Sequence, residues 1–403
     1  MAFALLTAIA VPPADLLGSA LRDAGLPLIP LPRPEAIAWM GARAIDLTLL
    51  ACRLTIGIPG LTYLCVTPAA WLTGLALAVA AGAALTSEWP RLRGLLIAIW
   101  CAATIAISWP GERIVDRPSG LRVTVFDVGQ GSSVLIETRA GRRLLVDGGG
   151  FARSAFDVGE RVVARALLTM GVRRLDAIAA SHGHVDHAGG IPSLLAMFEG
   201  SEIWVPQNDH AEGGMRSIES RALEARRTLR ILKRGMEIAF GGARIEVLHP
   251  PDPIEERSRD NRSLVIRILA GGRCLLLPGD IESLAESELA PLLAPCDLLL
   301  VPHHGSRTSS TPVFLNAVRP AWGIVSCGAT NRFGHPHAET LERFACARIR
   351  LLRTDRDGAI QIDLPASGGG SAERRVSVKR FSAGGWRPAG DRARAEPAAP
   401  CPE

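Results

Sequence analysis

The chain has 403 residues and a formal net charge of +5, with 45 basic and 40 acidic residues. Its lysines are only Lys233 and Lys379, so arginine supplies nearly all the positive charge. This modest excess does not by itself indicate a nucleic-acid partner, and no motif for sequence-specific base readout is present. The 8 cysteines lack CxxC spacing, which argues against a zinc ribbon and gives no sign of a disulfide framework.

The first 110 residues are predicted to form a membrane region of two or three helical spans. Residues 61–85 contain no charged side chain and are long enough to cross a bilayer, and residues 94–108 form a shorter apolar run. Residues 37–58 contain three charges, so they are either a third span lining a polar cavity or a helix at the membrane surface. A soluble helical domain is the alternative for residues 61–85. Residues 1–12 are too short to span and have no positively charged start, so they do not indicate a secretory signal.

Residues 118–365 alternate between short apolar runs and turn residues, which predicts a single α/β domain with one large core. The predicted helices are 159–170 and 191–199, because glycines that suit helix ends follow both. The predicted strands are 121–128, 133–137, 143–147, 175–180, 202–205, 244–248, 264–269, 274–277, 297–302 and 322–327. Residues 366–403 are rich in Gly, Pro, Ala and Arg and are predicted to be disordered.

Four metal-binding side chains lie within six residues, directly after the apolar run 175–180. They are His182, His184, Asp186 and His187. A tight loop that leaves a buried strand can direct imidazole nitrogens and carboxylate oxygens toward divalent cations. We expect His182 and His184 to bind one ion, and Asp186 and His187 to bind a second. A surface loop that happens to be rich in histidine is the alternative.

Two later segments repeat this pattern of an apolar run followed by metal-binding side chains. Asp280 follows residues 274–277 and can bridge two ions through its two oxygens, although a turn or helix-capping role is the alternative. His303 and His304 follow residues 298–301, and one of them is expected to complete the second ion site. His304 is preferred because a glycine after it leaves room.

A last pair, His335 and His337, follows the strand predicted at residues 322–327. Capping of the helix that begins near residue 338 is an equally good explanation for the pair. If His335 is functional, we expect a catalytic role without a metal bond. It would bind the scissile phosphate or protonate the leaving oxygen.

Residues 182–187 resemble the metal-binding signature of the metallo-β-lactamase superfamily. More narrowly, six further motifs occur in the order seen in the ComEC-type proteins that internalise DNA in bacterial natural competence. These six motifs are residues 126–132, 145–149, 260–265, 278–280, 301–306 and 332–337. The resemblance covers residues 121–364 closely and the first 110 residues loosely. It implies an αββα sandwich, preceded by transmembrane helices, with two metal ions in a cleft at one edge.

Other side chains are expected to support the site. Asp147 is expected to accept a hydrogen bond from a ligating imidazole. Asp127, Gln130, Ser306 and His337 are further candidates for supporting the ligands or binding substrate. The glycines within residues 127–132 either cradle a phosphate or serve a tight turn, and the turn is preferred.

One ligand position stays open. Many superfamily members place another histidine between the first motif and the bridging aspartate, where this chain has residues 260–263. Asn261 or Ser263 is a candidate oxygen ligand that would favour manganese over zinc. His249 is a second candidate, although packing at a strand end is the preferred interpretation.

The predicted function is that of a membrane-anchored hydrolase with two divalent ions, zinc or manganese, that degrades one strand of DNA during uptake. Two such ions would activate a water molecule and neutralise the phosphate under attack. The expected partners are single-stranded DNA without sequence preference, the lipid bilayer, and other competence proteins or a separately encoded channel domain. The basic run 216–234 either flanks a DNA track or is a solvated helix face.

The predicted location is the inner, cytoplasmic membrane, with several spans and with the hydrolase domain on the extracytoplasmic face. The arginines around residues 94–108 barely discriminate between orientations, and the cysteines argue mildly against an exterior domain. Two alternative functions remain. One is hydrolysis of a different ester or amide, and the other is a non-catalytic, DNA-binding part of the uptake channel.

Overall fold

The structure is a computed structural model that describes residues 78–79, 89–108, 117–198, 200–207, 213–252, 258–367, 376–382 and 385–388. The chain divides into two units, residues 1–63 and 64–403, and every described residue belongs to the second. The membrane segments predicted at residues 37–58 and 61–85 therefore lie outside the described residues, apart from residues 78–79.

The predicted apolar run 94–108 falls within helix α1, Pro90–Ser108. Several of its apolar side chains are exposed, including Leu95, Ile97, Ile99 and Trp100. Within the described ranges, no helix combines the length and the apolar character that crossing a membrane requires.

Two β-sheets form the centre of the domain. The first sheet has nine strands in the order β16-β15-β14-β1-β2-β3-β4-β5-β6. Its strands are β1 (Leu121–Val125), β2 (Val134–Thr138), β3 (Arg143–Val146), β4 (Ala177–Ala179), β5 (Glu202–Pro206), β6 (Leu229–Leu232), β14 (Ile360–Leu364), β15 (Ser377–Ser382) and β16 (Gly385–Pro388). Strands β3 to β6 run parallel to one another, and the other neighbours in this sheet are antiparallel.

The second sheet has seven strands in the order β13-β12-β11-β10-β9-β8-β7. Its strands are β7 (Glu237–Phe240), β8 (Ala243–His249), β9 (Val265–Ala270), β10 (Arg273–Leu277), β11 (Leu298–Leu300), β12 (Trp322–Val325) and β13 (Arg350–Arg353). Strands β10 to β13 are parallel, as β3 to β6 are in the first sheet.

Helices follow the parallel strands along the chain. They are α2 (Arg165–Thr169), α3 (Val185–Ala188), α4 (Ile191–Met197), α5 (Gly213–Glu224), α6 (Ser283–Leu289), α7 (Pro312–Val318), α8 (Ala338–Cys346) and α9 (Thr354–Asp357). A π-helix, Gly159–Ala164, precedes α2, and three 3-10 turns occupy Asp260–Arg262, Ala290–Leu292 and Pro302–Gly305.

Three apolar clusters show how these elements are layered. One cluster combines inward-facing side chains of both sheets, such as Val123 and Ile266. A second joins the outer face of the first sheet to α2, α4 and α5, and a third joins the outer face of the second sheet to α6, α7 and α8. Alternate side chains of one strand, such as Leu144 and Leu145, enter different clusters because strand side chains point to opposite faces. The arrangement is an αββα sandwich, and it confirms the predicted fold of the hydrolase domain.

The ten strands predicted from apolar runs are all present, with shifted ends. The helix predicted at 159–170 is divided into the π-helix and α2. The prediction missed the other strands, including β6 within the basic run 216–234 and the buried β14. Strands β6 and β13 lack strict alternation of apolar and polar side chains, so no strand was predicted there. The alternation of Ile360–Leu364 in β14 does indicate a strand, which the prediction missed.

The prediction of a disordered tail is wrong for residues 377–382 and 385–388. Strand β15 pairs antiparallel with β14, and β16 pairs with β15. Val378 packs against the cluster between the sheets. The open edge of β14 supplies hydrogen bonds that composition alone does not reveal.

Two cysteines form a disulfide that the cysteine spacing did not indicate. Cys274 on β10 is bonded to Cys296, 22 residues later, and both are buried. The bond fastens the strand that precedes Asp280 to the segment that leads into β11. Nothing in the spacing indicated this pair, because only the sandwich brings these two side chains together.

Candidate metal centre

The candidate site lies where parallel strands of both sheets end. Asp147 follows β3, the histidine motif follows β4, Asp280 follows β10, and His303 with His304 follows β11. Carboxyl ends of neighbouring parallel strands meet at one edge, so the fold collects side chains that are far apart in sequence.

The first cluster is formed by His182, His184 and Asp260. The Nε2 atom of His182 lies 3.0 Å from Nδ1 of His184, which lies 3.2 Å from Oδ1 of Asp260. This Oδ1 atom is buried, and no hydrogen bond of acceptable geometry satisfies it. One ligand atom from each residue falls within 4.8 Å of the other two. A buried carboxylate oxygen beside two imidazole nitrogens suits a divalent cation.

The second cluster is formed by Asp186, His187 and His304. The two Nε2 atoms of His187 and His304 are 3.1 Å apart, and His304 Nε2 lies 3.5 Å from Oδ2 of Asp186. Both histidines are buried. These three residues also place their ligand atoms within 4.8 Å of one another.

Asp280 lies between the two clusters. Its Oδ2 atom is 3.2 Å from His187 Nε2, 3.5 Å from His304 Nε2 and 3.9 Å from His182 Nε2. The position of this buried carboxylate between the clusters suits the bridging role expected from the sequence. The imidazole and carboxylate donors of the two clusters fit either zinc or manganese.

Hydrogen bonds behind the clusters orient the histidine rings. Asp147 accepts bonds from the backbone N–H and the hydroxyl of Ser181, at 2.7 and 2.8 Å, and from Nδ1 of His187 at 2.8 Å. His304 donates from Nδ1 to the carbonyl oxygen of Ser326 at 2.8 Å. In both histidines the opposite nitrogen, Nε2, is thereby turned toward Asp280. Asp147 thus accepts a hydrogen bond from His187, as a carboxylate that supports a ligating imidazole would.

Burial and mutual charge shift the pKa values of these groups in opposite directions. Burial, reinforced by the nearby His187, lowers the pKa of His182 to about 4. Burial also disfavours a charged His187, but the carboxylates of Asp280 and Asp147 outweigh it and raise its pKa well above the usual value. The same imidazoles hold the pKa of Asp280 well below its usual range despite burial. The carboxylates therefore stay ionised and favour positive charge at this edge.

His303 and His304 take different positions, although they are adjacent. Both have left-handed backbone conformations, with φ of 51° and 55°, and this turn sends their rings apart. His303 joins Asp260 and Glu282 in a third group, with Nδ1 3.7 Å from Oε1 of Glu282. The geometry favours His304 over His303 for the second cluster.

The residues proposed for the open ligand position lie outside the clusters. Asn261 directs its side chain to helix α6, where Oδ1 accepts the backbone N–H of Glu282 at 2.9 Å. Ser263 accepts the backbone N–H of Asp280 through its hydroxyl at 3.1 Å. His249 is buried at the end of β8, and its Nδ1 bonds to the carbonyl oxygen of Ser263. The neighbouring Asp260 lies in the first cluster instead, and its carboxylate was the signal that the sequence offered.

His335 lies beside the second cluster without joining it. Its ring stacks on that of His304 with centroids 6.2 Å apart, and its ring centroid is 5.7 Å from that of His303. Burial and then the neighbouring His304 lower the pKa of His335 to about 4. The backbone is held by Asn331, whose Oδ1 accepts the N–H of His335 at 2.9 Å.

The remaining predicted residues support loops. His337 precedes α8, and its Nδ1 accepts the backbone N–H of Arg307. Ser306 is buried and bonds to the hydroxyl of Thr308, and Gln130 accepts the backbone N–H of Gly328. Asp127 accepts the backbone N–H of Gly129, as in a turn.

Glycines allow the loops to approach the clusters closely. Gly131 has φ of 129°, and a Cβ atom there would lie 2.2 Å from the carbonyl oxygen of Asp186. Gly305 has φ of 83°, and a Cβ atom would lie 2.5 Å from that of Pro336. Close packing thus explains Gly131, which supports the turn interpretation of residues 127–132.

Comparison with known proteins places this geometry in context. A family model described as the metallo-beta-lactamase superfamily matches residues 126–328, which include both clusters. Competence protein ComA of Neisseria gonorrhoeae is 34% identical over 295 residues, covering 72% of this chain and 38% of that protein. ComE operon protein 3 of Bacillus subtilis is 32% identical over 254 residues, covering 59% of this chain and 32% of that protein.

These matches confirm the ComEC-type resemblance predicted from the sequence. The chain spans about a third of the length of these curated relatives. Among solved structures, the metallo-beta-lactamase fold protein YhfI of Bacillus subtilis is 15% identical with a TM-score of 0.41. That likeness covers 58% of this chain and 95% of YhfI.

Proposed function

This chain belongs to the metallo-β-lactamase superfamily, and on that basis we propose that it is a membrane-anchored, two-metal DNase of natural transformation. It would degrade one strand of DNA while the other strand is taken up. The observation that carries the proposal is the pair of His and Asp clusters that Asp280 joins at one edge of the sandwich.

We assign His182, His184 and Asp260 to one ion, and Asp186, His187 and His304 to the other, with Asp280 shared between them. Two divalent ions held there would supply Lewis acidity and a water molecule of lowered pKa. Asp147 keeps the Nδ1 proton on His187, so Nε2 remains available as a donor of electrons. The carbonyl oxygen of Ser326 does the same for His304.

The charge of the donor set favours an anionic substrate. Three carboxylates, those of Asp186, Asp260 and Asp280, do not fully neutralise two divalent cations, and the histidines would coordinate as neutral rings. Two ions held there would neutralise the negative oxygens of a phosphodiester under attack, which a neutral amide needs less. Arg216 is exposed in the first turn of α5, and Gly214 of that turn packs against the carbonyl oxygen of Gly183. An exposed arginine close to the histidine loop supports a path for a DNA backbone.

His335 is suited to holding the scissile phosphate. Its lowered pKa keeps the ring neutral near pH 7, so it binds by donating one N–H rather than by carrying charge. Its backbone is fixed by Asn331, and its ring lies against His304 of the second cluster. This position favours substrate binding over protonation of the leaving oxygen.

The uptake role draws its support from the relatives that carry competence names. Membrane anchoring draws its support from the uncharged segment 61–85 and from the exposed apolar side chains of α1, which lie next to the hydrolase domain in sequence. The Cys274–Cys296 bond agrees with an extracytoplasmic hydrolase domain, because disulfides persist outside the reducing cytoplasm. Other competence proteins, or a separately encoded channel domain, would complete the uptake system.

The experiment that tests the proposal is cleavage of labelled single-stranded and duplex DNA by the whole chain in detergent. Manganese, zinc and chelator are compared, beside an Asp186→Ala, His187→Ala double variant and an exposed control, Asp252→Asn. Metal-dependent cleavage that the double variant loses and the control keeps would support the proposal. A metal-loaded chain that hydrolyses other esters but not DNA would instead support a different hydrolase, and DNA binding without cleavage would support a channel component.

A further inference from the structure

An exposed aromatic ring lies at the outer end of a stack of rings that begins at the candidate metal centre. His304 of the second cluster stacks on His335 with centroids 6.2 Å apart and planes 29° apart. His335 in turn stacks on Phe333 with centroids 5.6 Å apart and planes 23° apart. The guanidinium carbon of Arg332 lies 5.0 Å from the centroid of the Phe333 ring. Phe333 is therefore two ring layers away from a metal-binding side chain.

The exposure of Phe333 calls for an explanation. Its side chain is 48% exposed, whereas the side chains of Phe126, Phe198, Phe314 and Phe344 are fully buried. A half-exposed ring costs hydrophobic free energy unless a partner covers it. Its neighbour Arg332 is also exposed and is positively charged.

The loop that carries the ring is held firmly against the metal centre. The side-chain amide of Asn331 donates 2.7 Å bonds to the carbonyl oxygens of Gly328 and His335. Pro336 packs on Gly305, directly after the histidines of the 3-10 turn. A ring fixed in this way is preorganised, so a ligand that stacks on it loses little free energy in ordering the loop.

We propose that Phe333, backed by His335 and flanked by Arg332, is a stacking platform for an unpaired nucleobase next to the scissile phosphodiester. This inference rests on the proposed nuclease function and specifies its substrate as single-stranded DNA. Aromatic faces bind bases without sequence preference, and an arginine beside the ring adds a cation for the backbone. In a duplex, neighbouring bases cover both faces of each base, so the platform selects unpaired strands.

The chemistry of the platform, as well as its shape, indicates which ligand binds it. The ring alone would accept any flat apolar group, but Arg332 adds positive charge and the stack ends at a cluster suited to phosphate chemistry. A nucleotide strand carries an aromatic ring and an anion at each repeat. The alternative substrates, another ester or an amide, do not require both an aromatic ring and an anion.

The test compares binding of a fluorescent single-stranded oligonucleotide with binding of an abasic strand that carries the same phosphates. The whole chain is used in the presence of chelator, so that cleavage does not interfere. We expect Phe333→Ala to weaken binding of the base-containing strand by about 5- to 150-fold and to leave abasic binding unchanged. Phe333→Leu keeps apolar bulk but should show the same loss, whereas Phe333→Trp should retain binding.

A matched control is Phe381→Ala, because Phe381 on β15 is 43% exposed but packs against Trp386 instead of a histidine. It should bind both strands as the wild-type chain does. Equal binding of the base-containing strand by Phe333→Ala and wild type, or an equal loss for both strands, would overturn the platform. The binding readout is independent of turnover. Base-dependent binding by a metal-loaded chain that cleaves no DNA would count against the nuclease while supporting the platform.

Discussion

Replacement of Asp260 by alanine tests the assignment of the first ion site. The carboxylate lies 3.2 Å from Nδ1 of His184 and 3.9 Å from Nε2 of His182. Asp260 supplies a carboxylate to the first cluster alone, whereas the carboxylate of Asp280 lies between the first and second clusters. Without it the site would retain two neutral imidazoles and a shared oxygen.

The size of the effect follows from the role of the group. Removing a hydrogen-bonding partner behind a ligand typically weakens metal binding 10- to 100-fold, and a direct ligand should contribute at least the upper value. We therefore expect Asp260→Ala to bind one ion about 100-fold more weakly, or by about 2.7 kcal/mol. The other ion should be retained, because its cluster keeps Asp186, His187 and His304.

Calorimetric titration with manganese, followed by measurement of bound metal after dialysis, distinguishes the two sites. Wild type should retain two ions and Asp260→Ala one. Asp252→Asn, an exposed aspartate paired with Lys233, serves as the matched control and should retain both. Asn261→Ala should also retain both, although it loosens the start of α6. Two ions of unchanged affinity in Asp260→Ala, with one lost in Asn261→Ala, would refute the assignment.

Three further predictions concern groups behind the site and in the core. Asp147→Asn removes the carboxylate charge and, with its amide oxygen still bonded to the backbone N–H of Ser181, places a donor NH2 group opposite the Nδ1 proton of His187. Metal affinity measured by titration should therefore fall 10- to 100-fold, and unchanged affinity would contradict this role. Burial raises the pKa of Glu286 to about 7, above its usual value of 4.5. The folded state therefore binds more protons between these values, and its free energy of unfolding should fall by up to about 3 kcal/mol as pH rises from 4.5 to 7. Urea denaturation across this pH range should show this fall in the free energy of unfolding for wild type but not for Glu286→Gln. Replacing Cys274 and Cys296 by serine opens a loop of 22 residues and should lower the free energy of unfolding by about 3 kcal/mol, whereas identical denaturation curves would argue against the bond.

Much of the fold was predictable because its signals are local. The inner strands of both sheets are short apolar runs bounded by turn residues, and such runs indicate strands wherever they occur. Strands β6 and β15 carry charged or polar side chains, and their pairing partners lie elsewhere in the chain. Their existence depends on an open sheet edge, which no local pattern describes.

In the candidate site, too, some features are indicated by the local sequence and others depend on the fold. The spacing of His182, His184, Asp186 and His187 predicts metal binding, because a loop of six residues must place these side chains near one point. Asp260 is about 75 residues away and resembles any turn aspartate until the fold brings it to His184. The sequence therefore determined the type of centre, since ligand chemistry is a property of the side chains themselves.

Tertiary structure decided which residues complete that centre. The sequence left His303 and His304 as equals apart from a neighbouring glycine, and the left-handed turn at both residues separates them in space. The sequence also did not indicate that Cys274 and Cys296 pair. Strand β10 and the segment before β11 bring them together. Local chemistry and periodicity can be read along the chain, but the meeting of distant strand ends depends on how two sheets pack, and packing is a property of the whole sandwich.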